Sequence, residues 1–303
     1  MKKVLVLYYS QTGQLNRVID SFVSKLGDDE TQVEMRAIKP KVKYPFPWSF
    51  YQFFDEFPES VSMDGCEIEE LQDIDDDYDL IILGYTVWYM APSIPITAFM
   101  HSPQAKKLFK DKPVVTLVVC RDMWVLAQEK IKKMLIDIEA KHIDHVALVD
   151  QGGSVLSFVT LPRFLLTGKK KSFAFFPPVG IGAYDIKNAS RFGKRLNKAL
   201  KQGKEKIGEA LLKNLNAVSV NGKLIASEKI ADRSFKVWST LIKAGGKKNS
   251  FGRKVVISVY VVFLLALIFS VIPLNIIARK ILNIFQKEKL KEMENYYELP
   301  SGR

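Results

Sequence analysis

The stretch "YYSQTGQL", residues 8–15, decides how the rest of the chain is read. It follows an apolar run, "VLVL" at residues 4–7, and precedes apolar residues at helical spacing, Val18, Ile19, Phe22, Val23 and Leu26. A strand that turns directly into a helix makes a place for an anion. Free backbone N–H groups and the positive end of the helix dipole converge there. Ser10 and Thr12 add hydroxyl donors, and Gly13 lets the backbone come close. The same Ser and Thr could instead cap the first turn of the helix.

Outward from this turn, residues 1–185 alternate between strands and helices. After "VLVLY" come "TQVEMRAI" (31–38), "DLIILGYT" (79–86), "PVVTLVVC" (113–120) and "HVALVD" (145–150). Continuous Val/Ile/Leu runs indicate strands buried on both faces, as in parallel sheets. Helical stretches lie between several of them, notably at 124–141. The pattern predicts an α/β domain with a doubly wound, five-stranded parallel sheet.

The 303 residues suffice for one large domain or two. Two cysteines, Cys66 and Cys120, make neither a disulfide framework nor a metal cluster, which fits a reducing compartment. His101, His142 and His145 show no ligand spacing and read as surface residues or helix caps, so no metal is expected. "MKK" leads into a strand shorter than the apolar core of a signal peptide.

The net charge of +12 is unevenly placed. Residues 1–185 carry 21 basic and 25 acidic side chains, whereas residues 186–254 carry 18 and 4. The basic excess precedes "VVISVYVVFLLALIFSVIPLNII" (255–277), 23 residues without a charge. Roughly 20 apolar residues span a bilayer as a helix. A buried core helix of that length would show polar positions on one face, and Ser258, Ser270 and Asn275 follow no helical period. Basic residues beside an apolar run point to anionic lipid, not nucleic acid.

The predicted organisation is a domain at 1–202 with an insertion at 154–184, a basic connector at 203–252, a membrane segment at 253–281 and an amphipathic tail at 282–303. Residues 187–212 read as a basic amphipathic helix interrupted by Gly203 and Gly208. Residues 44–57, "YPFPWSFYQFFDEF", hold eight aromatics in fourteen positions, too many to hide in a plain loop. A lid over a greasy substrate or a contact with a bilayer explains them. A single span with the tail across the membrane is expected, the rival being a return of the chain at Pro273 and Asn275.

The P-loop pattern GxxxxGK[ST] is absent, and so is GxGxxG at the first turn. Ser10-Gln11-Thr12-Gly13-Gln14 instead resembles the flavodoxin loop "T/S-x-T-G-x-T", which holds the phosphate of FMN. The last Thr of that pattern is Leu15 here, with Asn16 beside it. "GYTVWYMAPSIP" (84–95) is similar to the flavodoxin loop whose aromatic stacks on the isoalloxazine. The resemblance spans about residues 1–200 and implies bound FMN. It places Ser10, Gln11, Thr12, Gly13, Gln14 and Leu15 at the phosphate, and Thr86, Val87, Trp88 and Tyr89 on one side of the ring. Cys120, Arg121, Met123 and Trp124 would flank the other. Tyr85 is a candidate for proton donation to a ketone or enolate.

With its membrane segment, the chain also resembles the bacterial dialkylresorcinol condensing enzymes of dialkylresorcinol and flexirubin-type pigment synthesis. That resemblance implies oxidation of an alkylated cyclohexane-1,3-dione to a resorcinol by an FMN oxidoreductase. The substrate would be lipophilic, a ketosynthase and an acyl carrier protein would be partners, and the head would face the cytoplasm at the inner membrane. No Cys/His/Asn acyl-transfer set is present, so aromatisation fits better than condensation. Two alternatives stand beside it. One is a quinone- or NAD(P)H-linked reductase resembling protoporphyrinogen dehydrogenases. The other is a membrane-tethered electron-transfer flavodoxin.

Overall fold

A computed structural model describes residues 1–150, 154–171, 178–271 and 287–300, with 154–159, 271 and 287 described through their backbone only. The parallel strands are β1 (Lys2–Tyr8), β2 (Thr31–Ala37), β3 (Leu80–Trp88), β5 (Pro113–Cys120) and β6 (Lys141–Val149). They lie in the order β2-β1-β3-β5-β6, and a two-residue strand, β4 (Ala91–Pro92), pairs antiparallel with β3. Strands flanking β1 leave it in opposite directions, so the chain changes winding direction between β1 and β3. In doubly wound sheets ligands bind outside the carboxyl ends of the strands at that point. Tyr8 at the end of β1 is in register with Gly84 of β3, which brings the two following loops to the same level.

The apolar runs of β1, β3 and β5 are fully buried, as parallel strands covered on both faces require. Helix α1 (Gln14–Val23) buries Leu15, Val18, Ile19 and Phe22. The basic amphipathic stretch forms α9 (Ser190–Lys201), which stops at Gly203 in the left-handed conformation. α9 packs so closely on α1 that a Cβ on Gly193 would fall 1.9 Å from the Phe22 carbonyl oxygen. β6 begins four residues before the apolar run at 145, and His145 is a fully buried core residue, not a surface or capping one. It packs on Trp124, and burial depresses its pKa.

The remaining helices are α2 (Phe50–Asp55), α3 (Phe57–Val61), α4 (Ile94–Met100), α5 (Pro103–Phe109), α6 (Val125–Asp137), α7 (Ser154–Thr167), α8 (Ala183–Asn188), α10 (Gly222–Ala244), α11 (Phe251–Ala266) and α12 (Lys287–Glu298). Part of the insertion (172–177) and the end of the apolar run, with Pro273 and Asn275, lie outside the described residues.

Nearly half of the expected connector is the 23-residue helix α10, which packs against the α/β head. Its buried Glu228 carboxylate accepts from the Leu126 N–H at 2.8 Å, filling the N-terminus of α6. Its Asp232 pairs with Lys130 of α6 at 3.0 Å. Ser239 donates to the Pro58 carbonyl at the start of α3.

α11 continues as a π-helical turn, Leu267–Val271, and Phe251–Ser270 is long and apolar enough to cross a membrane. Arg253 at its start is buried and pairs with Asp55 at 2.5 Å and Glu59 at 2.7 Å. Asp55 also accepts from the Asn249 N–H. This polar knot ties the apolar helix to the aromatic segment 44–57.

Candidate functional site

A cavity of about 380 Å³ opens at the carboxyl ends of β1, β3 and β5. Its volume falls within the range of small-molecule sites. Its polar lining is Gln11, Thr12, Gln14, Thr86, Arg121, Asp122 and Asp150. Its large apolar lining includes Trp48, Phe53, Trp88, Tyr89, Leu161, Phe164, Leu165 and Phe235.

The polar lining begins with the loop after β1. Gly13 stands at φ 72° ahead of α1, a left-handed conformation suited to glycine. No side chain caps α1, so its first-turn N–H groups remain open at the loop. Ser and Thr of the loop therefore do not serve as caps. The Ser10 Oγ is buried without a hydrogen-bond partner, and so are the Asn16 Oδ1 and the Thr86 Oγ1. Buried polar atoms are normally paired. The Ser10 and Thr86 hydroxyls can donate to a bound molecule with acceptor oxygens, whereas the Asn16 Oδ1 accepts and calls for a donor. Gln11 is held from outside, donating to the Pro45 carbonyl at 2.7 Å. Burial, and after it the nearby Arg17 of α1, lowers the pKa of Lys170; neither side chain lines the cavity.

Trp88, Tyr89, Met90 and Ala91 form a hairpin turn between β3 and β4. Tyr89 and Met90 both have positive φ, 49° and 61°, which non-glycine residues rarely adopt. The turn is clamped from three sides. Lys130 donates to the Met90 carbonyl, Ser60 donates to the Trp88 carbonyl, and the Tyr89 hydroxyl donates to the Phe53 carbonyl at 2.5 Å. Strained turns held this firmly recur at functional sites. Trp88 meets Tyr44 and Trp48 edge to face, at 5.0 and 5.8 Å between ring centres.

The aromatic segment divides among three places. Trp48 and Phe53 line the cavity. Phe54 and Phe57 pack against Tyr260 of α11. Phe50 and Tyr51 are exposed. Trp48 is tied to the insertion, its N–H donating to the Leu165 carbonyl at 2.8 Å.

After β5, Arg121, Asp122 and Met123 line the cavity. Arg121 donates to Thr160 of α7 at 2.9 Å and stands 3.6 Å from Asp150, whose carboxylate accepts from the Gly180 N–H at 2.6 Å. Burial pulls the Arg121 pKa down, against the pull of Asp150. Cys120 is on the wall, but burial holds its thiol well above the usual range, so it is not a thiolate.

Three of the sequence candidates lie elsewhere. Trp124 turns into the core at the head of α6. The Leu15 side chain is fully buried in the core. Tyr85 is fully buried, and its hydroxyl donates to Gln128 Oε1 at 2.5 Å. Gln128 in turn donates to Thr116 at 2.9 Å. Alternation along β3 explains the placement, since Thr86 and Tyr85 face opposite sides of the sheet. Tyr85 therefore acts in folding: Tyr85→Phe is expected to cost about 1–3 kcal/mol of stability, because Gln128 loses a buried donor. Turnover per folded molecule should be unchanged, which thermal unfolding and a rate assay together check.

Asp150, Phe164, Leu165 and Phe235 escaped the sequence reading. They come from distant elements, and no local pattern marks them. Among the described residues no group of three or more His, Cys, Asp or Glu could hold a metal ion.

No family model matches the chain, and no curated protein matches it. Among solved structures it is similar to a Lactobacillus acidophilus flavoprotein in complex with FMN, at 22% identity, covering 48% of this chain and 93% of that one, with a TM-score of 0.40. It is similar to a flavodoxin from the domain Archaea at 11% identity, covering 66% and 99%, with a TM-score of 0.37. A WrbA-like flavodoxin from Agrobacterium tumefaciens is 13% identical, with coverage of 67% and 99% and a TM-score of 0.35. By its own strand order, with the cavity at the switch point, the chain is a flavodoxin-like α/β protein.

Proposed function

We propose that the cavity binds FMN and a lipophilic ring substrate, and that the protein is an oxidoreductase that aromatises an alkylated cyclohexane-1,3-dione. One observation carries this reading. An uncapped helix N-terminus with unpartnered buried hydroxyls and a set of large aromatic and aliphatic side chains meet at one cavity. The first suits a phosphate, and the second suits flat rings and an alkyl chain.

The loop at residues 10–14 would hold the phosphate through backbone N–H groups and hydroxyls. Trp88 and Tyr89 would confine the ring system from one loop and Met123 from another. Bound flavin supplies two-electron acceptance, which the side chains of this cavity lack. Aromatisation removes one hydride and one proton from the substrate ring. The protein's part is to orient the ring, exclude water through Trp48, Phe53 and Phe235, and receive the proton. Asp122 and Asp150 are the carboxylates on the wall, and Arg121 offers a cation to an enolate oxygen.

A carrier flavodoxin needs no closed apolar wall, and the wall built by α2, α7 and α10 favours an enzyme. Anaerobic bleaching of the yellow protein by diones of increasing chain length tests the reading. Each added methylene buried in the cavity is worth about 0.8 kcal/mol, or about a fourfold gain in affinity. Bleaching by NAD(P)H with no response to any dione would replace this reading with the reductase.

A further inference from the structure

α11 does not project away from the protein. It folds back along α10. At the corner, Gly245 lies so close to Arg253 and Val256 that a Cβ there would clash. Ile242 then packs in one cluster with Ile257. Trp238 lies 5.2 Å from Tyr260 and 5.0 Å from Phe263 between ring centres. Phe235 and Leu264 pack against the same cluster. Residue numbers fall along α10 as they rise along α11, so the helices are antiparallel.

This pairing decides how α11 can meet a membrane. A perpendicular span through the whole apolar run would carry α10 into the hydrocarbon as far as Phe235, with Lys236 in it. A Lys or Arg at the centre of a membrane helix costs about 2.5–3.5 kcal/mol. A span starting beyond Leu264 would have only residues 265–277 of the uncharged run left to it. At 1.5 Å per residue, such a helix is about 20 Å long, short of the roughly 30 Å hydrocarbon core.

An in-plane placement meets neither difficulty. α11 exposes Val255, Val259 and Val262, and the π-helical turn after it exposes Phe269, one stripe at helical spacing. α10 exposes Ile230, Val237 and Leu241, a second stripe, with exposed Lys229, Arg233 and Lys236 beside it. Apolar stripes flanked by basic residues are the composition of helices that lie in the headgroup region.

The end of the chain agrees. α12 packs on the first turns of α10. Glu294 accepts from the Gly222 N–H at 2.8 Å, Glu298 accepts from the Val220 N–H at 3.3 Å, and the Lys229 ammonium lies 5.6 Å from the centre of the Tyr297 ring. Met293 and Tyr297 pack against the main core. A tail across the bilayer could make none of these contacts.

We infer that α10 and α11 form a monotopic docking unit, which lies in one leaflet of an anionic bilayer while α12 stays on the same side as the head. This reverses the single span expected from the apolar run. It is independent of what the cavity binds.

The test uses the full-length chain with Cys66→Ser and one new cysteine, either Lys25→Cys on the head or Tyr296→Cys on α12. Both parent residues are exposed. Sealed native membrane vesicles of one orientation are treated with an impermeant maleimide, with detergent-opened vesicles as the reference. Equal relative labelling at the two positions is expected. Labelling of one with protection of the other would overturn the inference. A second measurement asks whether lipid or a second copy covers the stripes. Flotation with vesicles of phosphatidylcholine and phosphatidylglycerol should capture the protein, and Lys229→Gln with Arg233→Gln should lower the affinity about 30-fold, at about 1 kcal/mol per charge. A protein that remains a soluble dimer beside these vesicles, or an affinity unmoved by the two substitutions, would overturn the lipid assignment.

Discussion

Thr12→Asp is expected to leave the protein colourless. The substitution sets a carboxylate at the mouth of the loop where α1 begins, and Thr12 is on the cavity wall. Two unit charges about 4 Å apart repel by about 4 kcal/mol at an effective dielectric of about 20. That is roughly a thousandfold in dissociation constant, before the lost hydroxyl donor is counted. Thr12→Ser keeps the donor and should stay yellow. Because Thr12 is half-buried at a loop, circular dichroism should show both variants folded. FMN titration followed by absorbance checks the result. A Thr12→Asp protein that binds FMN as tightly as its parent would move the phosphate away from this loop.

Arg253→Met should destabilise the protein by about 3–5 kcal/mol, the cost of removing one partner from a buried ion pair. The Arg253 side chain is 3% exposed, and Asp55 and Glu59 are 8% and 15% exposed. With Met in place of Arg, two carboxylates stay buried without their cation. The damage should spread to the cavity, because Asp55 closes α2 and Phe53 lies two residues before it. Denaturant titration gives the stability, and flavin affinity reports the wall. The triple change Arg253→Met, Asp55→Asn, Glu59→Gln should recover much of the loss, since it removes the stranded charges as well. A single variant as stable as its parent would mean that the knot contributes nothing. The same contacts imply that removing residues 250–303 does not release an intact head, because Phe57 and Trp238 would lose Tyr260.

The parallel sheet and the loop at its first turn were legible in the sequence for a physical reason. Strands buried on both faces must be apolar throughout, and runs such as "VLVL" and "LIIL" have no other economical use in a soluble domain. The turn at residues 10–14 was legible because a strand, a glycine and a helix face meet within a few residues, so local chain geometry decides the arrangement. That the segment from Val255 is long and apolar enough to cross a membrane was legible from length and absence of charge alone.

What tertiary structure decided is everything set by which distant elements share a space. Tyr85 and Thr86 are neighbours in sequence, yet one is locked to Gln128 in the core and the other faces the cavity, and only the sheet's two coverings distinguish them. Asp150, Phe164 and Phe235 reach the cavity because β6, α7 and α10 close over it. A hydrophobic run states that it must leave water, but not in which direction. For α11 that direction came from Trp238, Ile242 and Gly245 on the helix it packs against, and from the carboxylates of α12 returning to Val220 and Gly222. Burial is a local demand that composition reveals, whereas partnership is a long-range choice that only the folded chain makes.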